Sequence, residues 1–176
     1  MIYRITNESN DYGLLRATSS DGLSWTYQEE VVSDGNNPFL WKDPRSGNWF
    51  LYYHDHGGDG NRIAYRTAAT IADLNLATSY FLFNTSGSIA SPCVFYKNNT
   101  YYLATETLND TTWNVNVYCS ENAYGPFLKC ENWAILTNND ACNIPLILDD
   151  TLYFYYCELT DSGNDYWDIV LRTAGM

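Results

Sequence analysis

The chain has 176 residues, 45% hydrophobic and 16% aromatic, with 9 basic residues against 21 acidic ones and a net charge of −12. That length supports one domain with a sizeable core. Nine scattered basic residues cannot supply the clustered positive charge that displaces counterions from phosphate, which excludes a nucleic-acid partner. No apolar run suits a membrane helix and no signal peptide is evident, so a soluble chain with no membrane partner is expected, its compartment left open.

Taken in chain order, the segments repeat. Residues 1–6 read as a strand, followed by a second at 13–19 and a third at 25–32. Asn36-Asn37-Pro38-Phe39-Leu40-Trp41 then opens a unit that recurs as Ser91-Pro92-Cys93-Val94-Phe95-Tyr96 and Asn143-Ile144-Pro145-Leu146-Ile147-Leu148. Their prolines stand 54 and 53 residues apart. Each unit runs into turn-forming residues (Asp43–Asn48, Lys97–Asn99, Asp149-Asp150) and then an aromatic strand at 49–53, 101–105 or 152–156, predicting three β-hairpins. A further strand type carries Arg16, Arg66 and Arg172, with Tyr118 in a looser copy; these four positions are 50, 52 and 54 residues apart. An outer strand is predicted at 80–83 and at 133–137.

A period of about 52 residues with three or four strands in each repeat suits the blades of a β-propeller. With the strands of a blade named a to d from the axis outward, the chain reads b-c-d, a-b-c-d, a-b-c-d, a-b-c. The expected fold class is therefore all-β: a propeller of antiparallel blades with about three and a half to four repeats. It forms one domain over residues 1–176, with repeats at roughly 1–33, 34–87, 88–140 and 141–176. Open strand edges are aggregation hazards, so the two ends are expected to pair with each other or with a second copy, a homo-oligomer completing the open blades.

None of the five cysteines forms a CxxC pair, which excludes a zinc ribbon or dithiol redox motif. An odd count leaves at least one thiol free within the chain and favours a reducing compartment.

Three motifs resemble one family. Thr18-Ser19-Ser20-Asp21-Gly22-Leu23-Ser24-Trp25 resembles the T-S-x-D-G-x-x-W signature of the five-bladed propeller glycoside hydrolases of families 43, 62, 32 and 68. Ser120-Glu121-Asn122-Ala123-Tyr124-Gly125-Pro126-Phe127 is similar to their S-x-x-x-x-G-P-F turn. The hairpin from Ser91 to Leu103 resembles their S-P-x-V-x-Y-x-N-G-x-Y-Y-L. The resemblance implies carbohydrate as the ligand and, in active members, an acid, a base and a third carboxylate at the starts of the a strands. Inverting enzymes hold acid and base about 6.5–9.5 Å apart. Here those positions hold Asn36 and Asn37, Ala90 and Ser91, and Asn143 and Ile144. No catalytic residue is carried over. Five blades at this period need roughly 260 residues, so the chain is a short or incomplete relative.

Other residues remain candidates for chemistry. Asp55, Glu106 and Glu158 follow or end b strands; converging on the axis, they would serve as the acid and base of a glycosidase. The plainer reading makes them turn carboxylates or partners of the repeated arginines. His54 and His56, two apart in a strand, share a side and suit either a metal or acid–base work; a glycine-freed turn is the plainer reading. Asn37, Ser91, Asn143 and His54 are candidate sugar-binding residues at the strand ends, and Trp113 and Trp167 are candidate stacking platforms. Asp43, Asp59, Asp110, Asp161 and Asp165 lack the spacing of a calcium loop. No metal and no cofactor are expected.

The leading expectation is a carbohydrate-binding, glycoside-hydrolase-like propeller without the usual carboxylate triad. The alternatives are an active glycosidase using Asp55, Glu106 and Glu158, and a structural or protein-interaction module.

Overall fold

A computed structural model of the chain describes residues 1–6, 12–56, 62–84, 88–109, 112–130, 140–148, 151–161 and 166–175. The described residues form fourteen strands and one short 3₁₀ turn at Ala72–Asn75. The strands fall into four consecutive antiparallel sheets. The first holds β1 (Ile2–Thr6), β2 (Tyr12–Thr18) and β3 (Thr26–Val32). The second holds β4 (Gly35–Lys42), β5 (Trp49–Asp55), β6 (Arg62–Ala68) and β7 (Tyr80–Asn84). The third holds β8 (Ile89–Lys97), β9 (Thr100–Asn109), β10 (Thr112–Ser120) and the two-residue β11 (Leu128–Lys129). The fourth holds β12 (Asp140–Leu148), β13 (Thr151–Asp161) and β14 (Tyr166–Gly175).

This is the propeller pattern that the repeat predicts, with sheets of three, four, four and three strands. One outer strand differs: the place beside β10 is taken by Leu128–Lys129, while the predicted strand at 133–137 lies outside the described residues. The strands form because β-branched and aromatic residues dominate them. Their hairpins close on residues suited to tight turns. Asn98 and Asn99, at φ 50° and 61°, give the left-handed pair that a two-residue hairpin requires.

Period-2 alternation divides each central sheet between two cores. Leu51 and Tyr53 of β5 pack with Leu14, Val31 and Val32 of the first sheet. Phe50 and Tyr52, on the other face of β5, pack with Val94, Tyr101 and Leu103 of the third. Ala104 and Val115 then join Leu152, Phe154 and Tyr156 of the fourth. Gly35 permits the close approach of β4 to the first sheet, since a Cβ there would stand 3.1 Å from the Leu14 and Val32 side chains.

Two of the repeated arginines, Arg16 and Arg66, stitch strands and blades together. Arg16 forks onto Glu29 with Nε–Oε1 at 2.5 Å and Nη2–Oε2 at 3.0 Å, tying β2 to β3. Arg66 donates to the Val31 carbonyl of the first sheet and to the Leu74 and Asn75 carbonyls of the 3₁₀ turn. Cys119 and Cys130 form a disulfide, while Cys93 and Cys157 are free thiols.

Candidate functional site

The inner strands carry a repeated irregularity. In β4 the register to β5 breaks between Asn36 and Phe39, and in β8 the register to β9 breaks between Ala90 and Cys93. Asn37 and Ser91 occupy these bulges at φ 47° and 49°, each just before a proline. A β-bulge re-aims a side chain out of the regular pleat. The two side chains meet: Asn37 Nδ2 donates to Ser91 Oγ at 2.7 Å. Asn36 Oδ1 accepts from the Asn37 amide at 2.8 Å and from Arg4 Nη1 of β1 at 2.9 Å. A polar seam of Arg4, Asn36, Asn37 and Ser91 thus runs from β1 across the inner strands β4 and β8.

β12 breaks in the same way, between Ala141 and Ile144. Here the motif alignment shifts by two residues. Pro38 and Pro92 lie inside their bulges, whereas Pro145 is paired with Phe154. Asn143 falls in the third bulge; its side chain lies outside the described residues.

Next to the seam stand the ends of the b strands. Asn36 pairs with His54, Ala90 with Glu106 and Ala141 with Cys157, so His54, Glu106 and Cys157 are level. Glu158 is one position further along, opposite Asp140 and Asp168, and its side chain and that of Trp167 lie outside the described residues. Glu106 is 6% exposed, so it is not the exposed turn carboxylate of the plainer reading. Asp55 forms an ion pair with Arg62 at 2.8 Å. By strand alternation Asp55 shares the face of Leu51 and Tyr53 toward the first sheet, and Glu106 that of Ala104 toward the fourth. His54 is buried and its ring centroid lies 4.2 Å from that of His56, as two residues on one side of a strand should. Among the described residues no group of three or more His, Cys, Asp or Glu is gathered to hold a metal ion. Trp113 is half-buried on β10, opposite Leu108.

One polar group escaped the sequence reading. Thr105, Thr107, Asn114 and Asn116 are all buried, and the register places Thr105 opposite Asn116 and Thr107 opposite Asn114. Asn116 Nδ2 donates to Thr107 Oγ1. Alternation places Thr105 and Thr107 on the face of Tyr101 and Leu103, turned toward the second sheet as His54 is turned toward the third. The signal was available as Thr-x-Thr and Asn-x-Asn at strand period.

The opposite ends of the same sheets differ in kind. A cleft of about 410 Å³ lies there, lined among others by Asp43, Arg45, Asn48, Phe50, Tyr101 and Tyr124. Asp43 accepts from the Arg45 and Ser46 amides at 3.2 and 3.0 Å, from the Ser46 hydroxyl at 2.5 Å and from the Tyr101 hydroxyl at 2.9 Å. Burial pushes its carboxyl up, but the Ser46, Arg45 and Tyr101 hydrogen bonds together hold it below the ordinary value. Burial, and the Asp43 carboxylate it donates to, push the Tyr101 hydroxyl up to about 12. Asp43 is therefore spent on its own turn and is not a calcium ligand in waiting.

The comparisons with known proteins agree with this geometry. A thermostable family-43 glycoside hydrolase superposes with a TM-score of 0.78 at 14% identity, covering 100% of this chain and 70% of that one. The chain has the fold of a family-43 propeller. An endo-1,4-beta-xylanase from Bacteroides thetaiotaomicron gives 0.72 at 17% identity, covering 99% of this chain and 75% of its own. A Cellvibrio cellulosa alpha-L-arabinanase complexed with arabinohexaose gives 0.71 at 14%, covering 96% and 66%. No protein-family model matches the sequence, and no curated protein matches it.

The family-43 fold also explains the signature motifs, which prove to be clasps. Asp21 Oδ1 accepts from the Leu23 and Ser24 amides at 2.8 Å each, and the Trp25 indole donates to the Gly22 carbonyl at 3.2 Å. These bonds, led by that from Ser24, lower the Asp21 carboxyl to about 2. Gly125, at φ 81°, would bring a Cβ to 3.1 Å from the Phe127 nitrogen, so glycine is required before that turn.

Proposed function

We propose that this chain is a single propeller domain that binds a carbohydrate chain at the inner strand ends without cleaving it. The observation that carries this reading is the seam of Arg4, Asn36, Asn37 and Ser91. Amide, hydroxyl and guanidinium groups supply donors and acceptors for sugar hydroxyls. They supply no proton-transferring carboxyl pair of the kind glycoside hydrolysis uses. Asn37, Ser91, Asn143 and His54 line the binding site, and Trp113 and Trp167 flank it as platforms for the apolar faces of sugar rings. The likeness in fold to an endo-1,4-beta-xylanase and an alpha-L-arabinanase favours pentose polymers as the first probes.

Binding to a glycan array, followed by hydrolysis assays on arabinan, xylan and fructan, tests the proposal. Retained binding with no sugar released is the expected result. Hydrolysis that Glu106→Gln abolishes would overturn the non-catalytic part.

One observation favours the second reading, an active glycosidase using Asp55, Glu106 and Glu158. Glu106 is a buried carboxylate at the strand end, level with the buried His54, and general acid–base work needs a carboxyl positioned there. That reading requires Asp55→Asn to abolish turnover while leaving the melting temperature intact. A stability loss from the broken Arg62 pair, with turnover unchanged, would count against it.

A further inference from the structure

The cleft at the turn ends of the second and third sheets belongs to neither the seam nor the clasps. Its volume of about 410 Å³ lies within the range of about 300–1,000 Å³ that small-molecule sites occupy. Its described lining comes from the turn after β4, from β5, β6 and β9, and from the loop after β10. Both sheets that frame it pack on a further sheet on their other side. Phe50 and Tyr101, 4% and 2% exposed, form its floor, and Tyr124, 59% exposed, stands at its rim. The aromatic surface continues outward. Tyr65 lies 5.9 Å from Phe50 and stacks on Tyr80 at 5.5 Å between ring centroids, and Tyr80 is half exposed. Burial raises the Tyr65 hydroxyl, and the Tyr80 and Tyr124 hydroxyls raise it further, which sets the three close together.

Polar groups stand among these rings. Thr67, opposite Phe50 in the register, lines the cleft with a hydroxyl oxygen that is buried and has no hydrogen-bond partner. Such a group costs free energy until something bonds to it. Asn48 and Asn122 donate their backbone amides to Ser46 and Ser120, but among the described residues their side-chain amides have no bonded partner. Of the described lining residues only Asp43 and Arg45 carry charge, and both are engaged. Asp43 is held by its own turn and by Tyr101, while Arg45 donates to the Glu121 carbonyl at 3.1 Å and lies 5.9 Å over the Tyr101 ring.

We propose that this cleft is a second carbohydrate site, taking a neutral sugar unit with one ring face on Tyr124 and its hydroxyls on Thr67, Asn48 and Asn122. A sugar ring presents an apolar C–H face to an aromatic ring and a rim of hydroxyls that both donate and accept. Those are the partners that a threonine hydroxyl and two side-chain amides lack. An anionic ligand would instead meet the Asp43 carboxylate and a guanidinium already engaged. The class of ligand rests on the carbohydrate reading above, but the location does not. Seam and cleft stand at opposite ends of β5, whose seven residues span about 23 Å.

Titration calorimetry with xylotriose and arabinotriose, sugars too short to bridge the two ends, tests it. The wild-type chain should bind one of them at two sites. Tyr124→Ala should weaken one site about tenfold, and Thr67→Val should weaken the same site about fivefold without lowering the melting temperature. A purely structural role for Thr67 would move the melt and leave binding alone. Asn37→Ala should weaken the other site and leave this one intact. Sugar binding that withstands both Tyr124→Ala and Thr67→Val overturns this inference and leaves the seam reading standing. Binding lost in Tyr124→Ala and untouched by Asn37→Ala upholds the cleft and removes the seam. A chain that binds neither sugar overturns both, and one that takes a proline-rich peptide at Tyr124 in their place overturns the class of ligand assigned to the cleft.

Discussion

The second and third sheets meet along an interface whose two ends obey different rules. At the end near the hairpin turns of β4–β5 and β8–β9, Phe50, Tyr52, Tyr101 and Leu103 pack together, and their polar tips are satisfied. Tyr52 donates to the Ala123 carbonyl at 2.7 Å and Tyr101 to Asp43 at 2.9 Å. At the other end the same strands bury His54, Thr105, Thr107, Asn114 and Asn116. Buried polar groups cost free energy unless fully bonded, and Thr105 Oγ1 is buried with no hydrogen-bond partner. One end therefore holds the blades together, and the other keeps polar atoms where packing alone would choose aliphatic ones. Stability and candidate function are separated along a single strand, β9, within about five residues.

The strongest way to break that comparison is to cut the packed end. Leu103 is fully buried, and Leu103→Ala should destabilise by about 3 kcal/mol, read as a lower urea midpoint at unchanged slope. Two residues along, Thr105→Val should instead stabilise by about 1 kcal/mol, because it removes a buried hydroxyl that has no partner. A loss of stability at both positions would mean that the two ends are alike.

Tyr101→Phe should fall between these in size, costing about 1.5 kcal/mol for the lost bond to the Asp43 carboxylate. It also carries a pH signature. The Tyr101 hydroxyl is raised to about 12 in the folded chain against about 10 when unfolded. Its contribution is then complete below pH about 10 and lost as pH rises toward about 12. Alkaline unfolding curves of Tyr101→Phe should be flatter than wild type in that window. Asp43 gives the opposite sign: its lowered carboxyl contributes above the ordinary carboxylate range and loses that contribution as pH falls through its depressed value.

The smallest effect is expected at the seam. Asn37 sits at φ 47°, where a side chain with a Cβ is strained. Asn37→Ala should cost about 1 kcal/mol, whereas Asn37→Gly should be nearly neutral in thermal melts. Both should weaken sugar binding equally, since each removes the amide that reaches Ser91.

Much of the frame was legible in the sequence. Repeated hairpins gave the order of strands, and the aromatic strands predicted at 49–53, 101–105 and 152–156 lie within β5, β9 and β13. Local period and turn chemistry carry that kind of information well. The parts that were not legible depend on chain segments far apart. The Asp43–Tyr101 bond joins residues 58 apart, and the Arg66 contact with Val31 crosses a blade boundary. The burial of Glu106 follows from the sheet packed over it, which no local pattern announces. The two-residue shift at Pro145 is a register matter: two prolines fell inside bulges and the third did not, although all three follow the same motif.

The left-handed bulge at Asn37 has a consequence for redesign. Asparagine and aspartate have nearly the same outline, so Asn37→Asp exchanges an amide for an ionisable acid without asking the backbone to move. The Ser91 hydroxyl, which accepts from the amide, would turn round and donate to the new carboxylate. Within this scaffold, then, the chemistry at the strand start is set by a single atom held in a fixed frame. Laboratory evolution toward cleavage would begin by searching there rather than by rebuilding the ring.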